Sequence, residues 1–95
     1  MNFGLSEDVY NKIKGVILKY SSYQFKIYGS RARGDYKKES DIDIAVIGNV
    51  NSEDKMKILN DFDILNIPYM IDIVFFNDLK QELITSINKE GIKYE

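Results

Sequence analysis

A chain of 95 residues with 13 basic and 15 acidic side chains, a formal net charge of −2 and neither histidine nor cysteine excludes a good deal of chemistry at once. It offers no imidazole base, thiol nucleophile, zinc–thiolate site or disulfide, so an enzyme built on it would rest on carboxylates, hydroxyls, amines and a hard metal ion. The slight acidic excess argues against direct nucleic-acid binding. No window approaches the roughly 18 apolar residues of a membrane span, and Met1–Leu5 opens no signal-peptide pattern, so a cytoplasmic protein without a membrane partner is expected. The length predicts a single domain over residues 1–95, with a folded surface of about 5,600 Å² and about 65 % of the chain's surface buried.

In chain order, Ser6-Glu7-Asp8 reads as a capped helix start with two acids at the positive end of the helix dipole. Val9, Ile13, Val16, Ile17 and Tyr20 continue it at helical spacing over about residues 6–20. Tyr23 to Tyr28 alternates like a strand and ends at Gly29-Ser30, before a short charged stretch from Arg31 to Ser40. Ile42, Ile44 and Val46 alternate with Asp41, Asp43 and Ala45, the two-residue period of a second strand. Asn51-Ser52-Glu53-Asp54 caps a helix carried by Met56, Leu59, Phe62 and Leu65, which Pro68 is expected to stop. Tyr69 to Phe76 is the most apolar run and the best candidate for a central strand. Asn77-Asp78 is expected to cap a last helix holding Leu79, Leu83, Ile84 and Ile87, with Gly91 as C-cap and Ile92–Glu95 extended. This alternation predicts an α/β domain: a small three- to four-stranded mixed sheet covered by about four helices.

The chemistry concentrates between Gly29 and Val46. Asp41 and Asp43 stand two apart on a strand, so both project to one face with Cα atoms about 6.8 Å apart. Two acids side by side repel one another and call for a cation, and oxygen-only ligands favour Mg²⁺ or Mn²⁺ over zinc. The bland alternative is a solvated polar strand face. Asp61 and Asp63 spell the same D-x-D on a helix, where two residues subtend about 200°, and that pair reads as solvated surface. Asp72 lies in the apolar run. It either shares a metal with Asp41 and Asp43 across neighbouring strands, or sits at a sheet edge where it reaches water. Three carboxylates on adjacent strands would form the two-metal clamp used in phosphoryl and nucleotidyl transfer.

Gly29-Ser30, at a strand end entering a short helix, offers backbone N–H groups and a hydroxyl to phosphate oxygens. Arg31 and Arg33, the chain's only arginines, are expected to bind phosphate beside that turn, since a guanidinium fork suits phosphate better than lysine does. Lys37 and Lys38 read as a solvated loop. Among the tyrosines, Tyr20 and Tyr28 read as core packing.

The run Gly29-Ser30, Ala32-Arg33-Gly34, then Ser40-Asp41-x-Asp43 with a later lone Asp72 resembles the signature of polymerase-beta-type nucleotidyltransferases, and in particular their smallest members, the MNT (minimal nucleotidyltransferase) domains. The resemblance covers nearly the whole chain. It implies the nucleotidyltransferase fold, with Ser30 on the triphosphate of the nucleotide, Arg33 near the phosphates, and Asp41, Asp43 and Asp72 holding two Mg²⁺ ions, Asp72 also helping to activate the attacking hydroxyl. Many MNT proteins are antitoxins paired with a HEPN-domain ribonuclease toxin and transfer AMP from ATP to a toxin tyrosine. The resemblance therefore implies ATP as substrate, a HEPN toxin as partner and acceptor, and a hetero-oligomer with it. The length, sufficient for a catalytic core and short for a substrate domain, fits an acceptor supplied by another protein. The competing expectations are neutralisation of a toxin by binding alone, and a stand-alone enzyme that modifies an aminoglycoside-type small molecule.

Overall fold

Ser6 begins the first helix as its side chain predicts. In the computed structural model of the chain its hydroxyl accepts a hydrogen bond from the Val9 N–H (3.2 Å), and α1 runs Glu7–Lys19. The structure describes residues 2–94. Met1 and Glu95, which bound the expected opening segment and the expected extended end, lie outside the described residues. The elements after α1 are β1 (Gln24–Tyr28), α2 (Ser30–Arg33), β2 (Ile42–Ile47), α3 (Ser52–Asp63), β3 (Ile71–Phe75), a single 3₁₀ turn (Phe76–Asp78), α4 (Gln81–Glu90) and β4 (Ile92–Lys93). Four helices and a four-stranded mixed sheet match the expected α/β fold. Its folded surface of 5882 Å² is close to the size expectation.

The strand order is β3-β2-β1-β4. β1 pairs antiparallel with both β2 and β4, whereas β2 and β3 are parallel. Alternation assigns the faces. Phe25, Ile27, Ile42, Ile44 and Val46 are buried in one cluster with Val9, Ile13 and Val16 of α1 and Ile58 and Phe62 of α3. Lys26, Tyr28, Asp43 and Asp72 turn to the opposite face by the same two-residue period. The carboxyl end of α4 reaches that second face, since Gly91 packs beside both Ile87 and the stem of Lys26.

Four sequence expectations are corrected. β3 lies at the sheet edge, and the centre belongs to β1 and β2. Its apolar run is only partly used as core, and Met70 remains 73 % exposed. On α3 the buried residues are Ile58 and Phe62, one helical turn apart, while Met56 and Leu59 of the expected stripe face solvent. That helix ends at Asp63, well before Pro68, with Ile64 as its last capping residue. Finally, Asn77-Asp78 belongs to the 3₁₀ turn, and α4 starts only at Gln81 behind Lys80.

Asp61 is also more than solvated surface. Its Oδ2 accepts hydrogen bonds from Lys19 Nζ (2.8 Å) and the Tyr20 hydroxyl (2.5 Å), clasping the end of α1 to α3, while Asp63 stays exposed. Lys19, then Tyr20, hold the Asp61 carboxyl below its ordinary range, and the same contact pushes the Tyr20 hydroxyl up to about 12. A depressed carboxyl stabilises the fold above its unfolded value and loses that contribution as pH falls through the folded value. A raised tyrosine contributes below about 10 and loses its contribution between about 10 and 12. Asp61→Asn should cost about 1 kcal/mol at neutral pH after solvent screening and flatten both limbs of the stability–pH profile. Urea unfolding across pH checks this, and an unchanged alkaline limb would count against the clasp.

Candidate functional site

The sheet register gathers the motif residues into one row. Asp72 of β3 lies opposite Asp43 of β2, and Asp43 lies opposite Tyr28 of β1. Asp41 lies just before β2, two residues from Asp43, close enough for its charge to act on that carboxyl. Tyr28 leads directly into Gly29, so the turn begins where this row meets β1.

Gly29 adopts φ 73° and ψ −153°, a conformation essentially reserved for glycine. A Cβ here would lie 2.6 Å from Asp43 Oδ2, so the bare glycine leaves room for that carboxylate. Ser30 then opens α2, whose first turn is closed by the N–H groups of Ala32 and Arg33 donating to Gly29 O. The Gly-Ser turn and the first D-x-D thus meet, although their sequence positions are separated by the charged loop.

The acids respond to one another. Burial, then Asp72, then Asp41 push the Asp43 carboxyl up from its ordinary value, and Arg33 partly opposes them. Burial, followed by Asp43 and Asp72, pushes the Tyr28 hydroxyl up to about 12. Negative charge is therefore concentrated on this row, and Arg33 offsets only part of it. Among the described residues no three acidic side chains are gathered tightly enough to enclose an ion as they stand. Even so, the chemistry of the donor set fits a hard divalent cation: two carboxylates in cross-strand register, Asp41 two residues before one of them, and a glycine-made space beside Asp43.

Both conditions set for Asp72 are present together: β3 is the neighbour of β2, which sets Asp72 opposite Asp43, and β3 is also the sheet edge, where the residue is exposed and its carboxylate bears no large burial cost. Arg33 is exposed and holds Asp35 and Glu90, each at 3.3 Å, so its guanidinium remains at the surface near the turn. The expectation for Arg31 is corrected. That side chain is 2 % exposed, and its N–H groups donate to the backbone carbonyls of Phe3, Lys38 and Ser40. A guanidinium committed to the interior in this way is not presented to a nucleotide.

Sequence reasoning missed two neighbours of the site. Tyr28 reads as core packing in the sequence, and only the register sets it opposite Asp43. Glu90 reaches Arg33 from the end of α4, a pairing without a local sequence signal. Beside Asp72, the β3 edge and the end of α3 border an open groove of about 580 Å³, lined in part by Leu59, Phe62, Ile67, Met70 and Ile73.

The family model for polymerase beta nucleotidyltransferases matches residues 11–93. The chain belongs to this family. Its fold is similar to that of a toxin–antitoxin complex solved with AMP-PNP, at a TM-score of 0.70 and 19 % identity over 90 % of this chain and 72 % of that one. A variant of the MntA-HpeT toxin–antitoxin gives a TM-score of 0.69 at 17 % identity, again over 90 % of this chain and 72 % of that one. A nucleotidyltransferase from Sulfolobus solfataricus gives 0.52 at 24 % identity, over 88 % of this chain and 77 % of that one. Among curated protein sequences there is no significant match. This nucleotidyltransferase has no helix, among the described residues, long and apolar enough to cross a membrane.

Proposed function

We propose that this nucleotidyltransferase moves AMP from ATP to a tyrosine hydroxyl of a HEPN-type ribonuclease toxin and acts as that toxin's antitoxin. The observation that carries the reading is the register placing Asp72 beside Asp43, with Asp41 two residues before Asp43 and the Gly29-Ser30 turn against the Asp43 carboxylate. The resemblance of the fold to toxin–antitoxin complexes, one of them solved with AMP-PNP, supports the choice of nucleotide and partner.

In this reading Ser30 and the backbone at Gly29 bind the triphosphate, and Arg33 neutralises part of its charge from the surface. Asp41, Asp43 and Asp72 would hold Mg²⁺, which when bound supplies charge neutralisation at the phosphates. Asp72, at the exposed edge, accepts the proton of the acceptor hydroxyl. The acceptor oxygen then bonds to the α-phosphorus as the bond from that phosphorus to the bridging oxygen breaks, and pyrophosphate leaves with that electron pair. The groove beside Asp72 is open to an acceptor carried by a macromolecule.

The test is the intact mass of a candidate toxin incubated with this chain, ATP and Mg²⁺. A gain of one or more AMP groups on tyrosine is expected. An unmodified toxin that is nonetheless bound and silenced would replace this reading with neutralisation by binding, which the exposed Leu59 and Met70 at the groove also favour.

A further inference from the structure

Arg31 is a buried cation without a counter-ion: among the described residues it is the only buried charged side chain, and no carboxylate lies within ion-pair distance of it. Burying a lone charge carries a large desolvation cost, so what surrounds it must compensate. Nε and Nη2 both donate to Ser40 O (3.1 and 2.9 Å), Nη1 donates to Phe3 O (3.0 Å), and Nη2 also reaches Lys38 O (3.3 Å). The guanidinium also lies over two aromatic rings, 5.1 Å from the Tyr36 centroid and 4.9 Å from that of Tyr69. Only a planar fork with several fixed donors can serve those carbonyls and both rings at once. A lysine ammonium is a single strongly hydrated point charge.

What Arg31 holds is more informative than how it is held. Ser30 is its chain neighbour on one side. The Ser40 carbonyl belongs to the peptide that leads into Asp41. Tyr69 precedes Met70, whose carbonyl accepts from the Ile42 N–H (2.9 Å), and the chain then enters β3 and reaches Asp72. Arg31 therefore belongs to one of the three segments that carry the candidate site, and its side chain contacts the other two.

We propose that Arg31 is a positioning residue that sets the spacing of Ser30, Asp41 and Asp72 and does not itself touch the nucleotide. This rests on the reading of Asp41, Asp43 and Asp72 as cation ligands. Removing outer partners of metal ligands typically weakens binding or activity by about 10–100-fold.

The full chain is titrated with Mn²⁺ by electron paramagnetic resonance, and ATP turnover on the toxin is followed separately. Arg31→Lys, checked for cooperative melting, should bind Mn²⁺ at least about tenfold more weakly. Its kcat should fall while its KM for ATP stays near that of the wild type. Tyr36→Leu changes an already exposed ring and decides the matter if Arg31→Lys does not fold. It should weaken Mn²⁺ binding by about two- to fivefold, since it removes one of the two rings over the guanidinium. A folded Arg31→Lys with wild-type Mn²⁺ affinity overturns the proposal, as does a rise confined to KM for ATP, which would return Arg31 to the phosphates. If Arg31→Lys fails to fold, an unchanged Mn²⁺ affinity in Tyr36→Leu also overturns it. A wild-type chain that binds Mn²⁺ and transfers no AMP overturns the proposed reaction alone. A wild-type chain that binds no Mn²⁺ overturns both.

Discussion

Asp43→Asn should leave a folded domain whose transfer of AMP to its acceptor is slower by about a thousandfold or more, the equivalent of roughly 4 kcal/mol in the barrier. Asp43 is the middle member of the cross-strand row, with Tyr28 on one side and Asp72 on the other. Asparagine keeps its shape and removes its charge. The change also removes a carboxylate that burial and two neighbouring acids disfavour in its ionised form. A group whose folded value is raised is a stability cost once pH exceeds it, so the melting temperature at neutral pH should equal or exceed that of the wild type. Activity and stability then move in opposite directions, which global damage cannot imitate. Mass spectrometry of the acceptor and thermal melting are the two measurements, and transfer within tenfold of wild type would remove Asp43 from the site.

Gly29→Ala is expected to damage both properties together. The φ of 73° with ψ −153° costs a non-glycine residue about 1–3 kcal/mol, and the new methyl would stand 2.6 Å from Asp43 Oδ2. Either the turn opens or the carboxylate swings away. For a domain of this size the melting temperature should fall by roughly 5–15 °C. Transfer should be lost even at temperatures where the variant remains folded, because the turn and the acid cannot both keep their places. Melting unchanged within about one degree would mean that the backbone at Gly29 relaxes without difficulty, contrary to the geometry described.

The parts of the molecule legible beforehand were those specified over a few residues. The Ser6 cap of α1 depends on a side chain reaching Val9 within one turn, and it forms as expected. The Asn51 cap of α3 does the same through the Asp54 N–H (2.8 Å). The alternation of Ile42, Ile44 and Val46 with Asp43 assigned the two faces of β2 correctly, because the strand period is a property of the backbone. Apolar content misled where burial depended on what lay opposite. Tyr69 to Phe76 looks central by composition, yet β3 has a strand neighbour on one side only. Met56 and Leu59 sit at sound helical spacing, but α1 and the sheet meet the turn of α3 that carries Ile58 and Phe62.

Arg31 and Arg33 separate local information from information that arises on folding. Composition confines any chemistry here to carboxylates, hydroxyls, amines and a hard metal ion. The local periods determined most of the elements, and the motif determined which residues to watch. Nothing in that motif separates two arginines standing two apart. The fold does so, turning one inward to the carbonyls of Phe3, Lys38 and Ser40 and leaving the other at the surface with Asp35 and Glu90. Likewise Asp43 and Asp72, 29 positions apart, become neighbours only through the parallel pairing of β2 and β3. Capping and alternation are local and can be read along the chain. Strand order, register and the burial of a charge are set by distant segments packing together, so they exist only once the chain has folded.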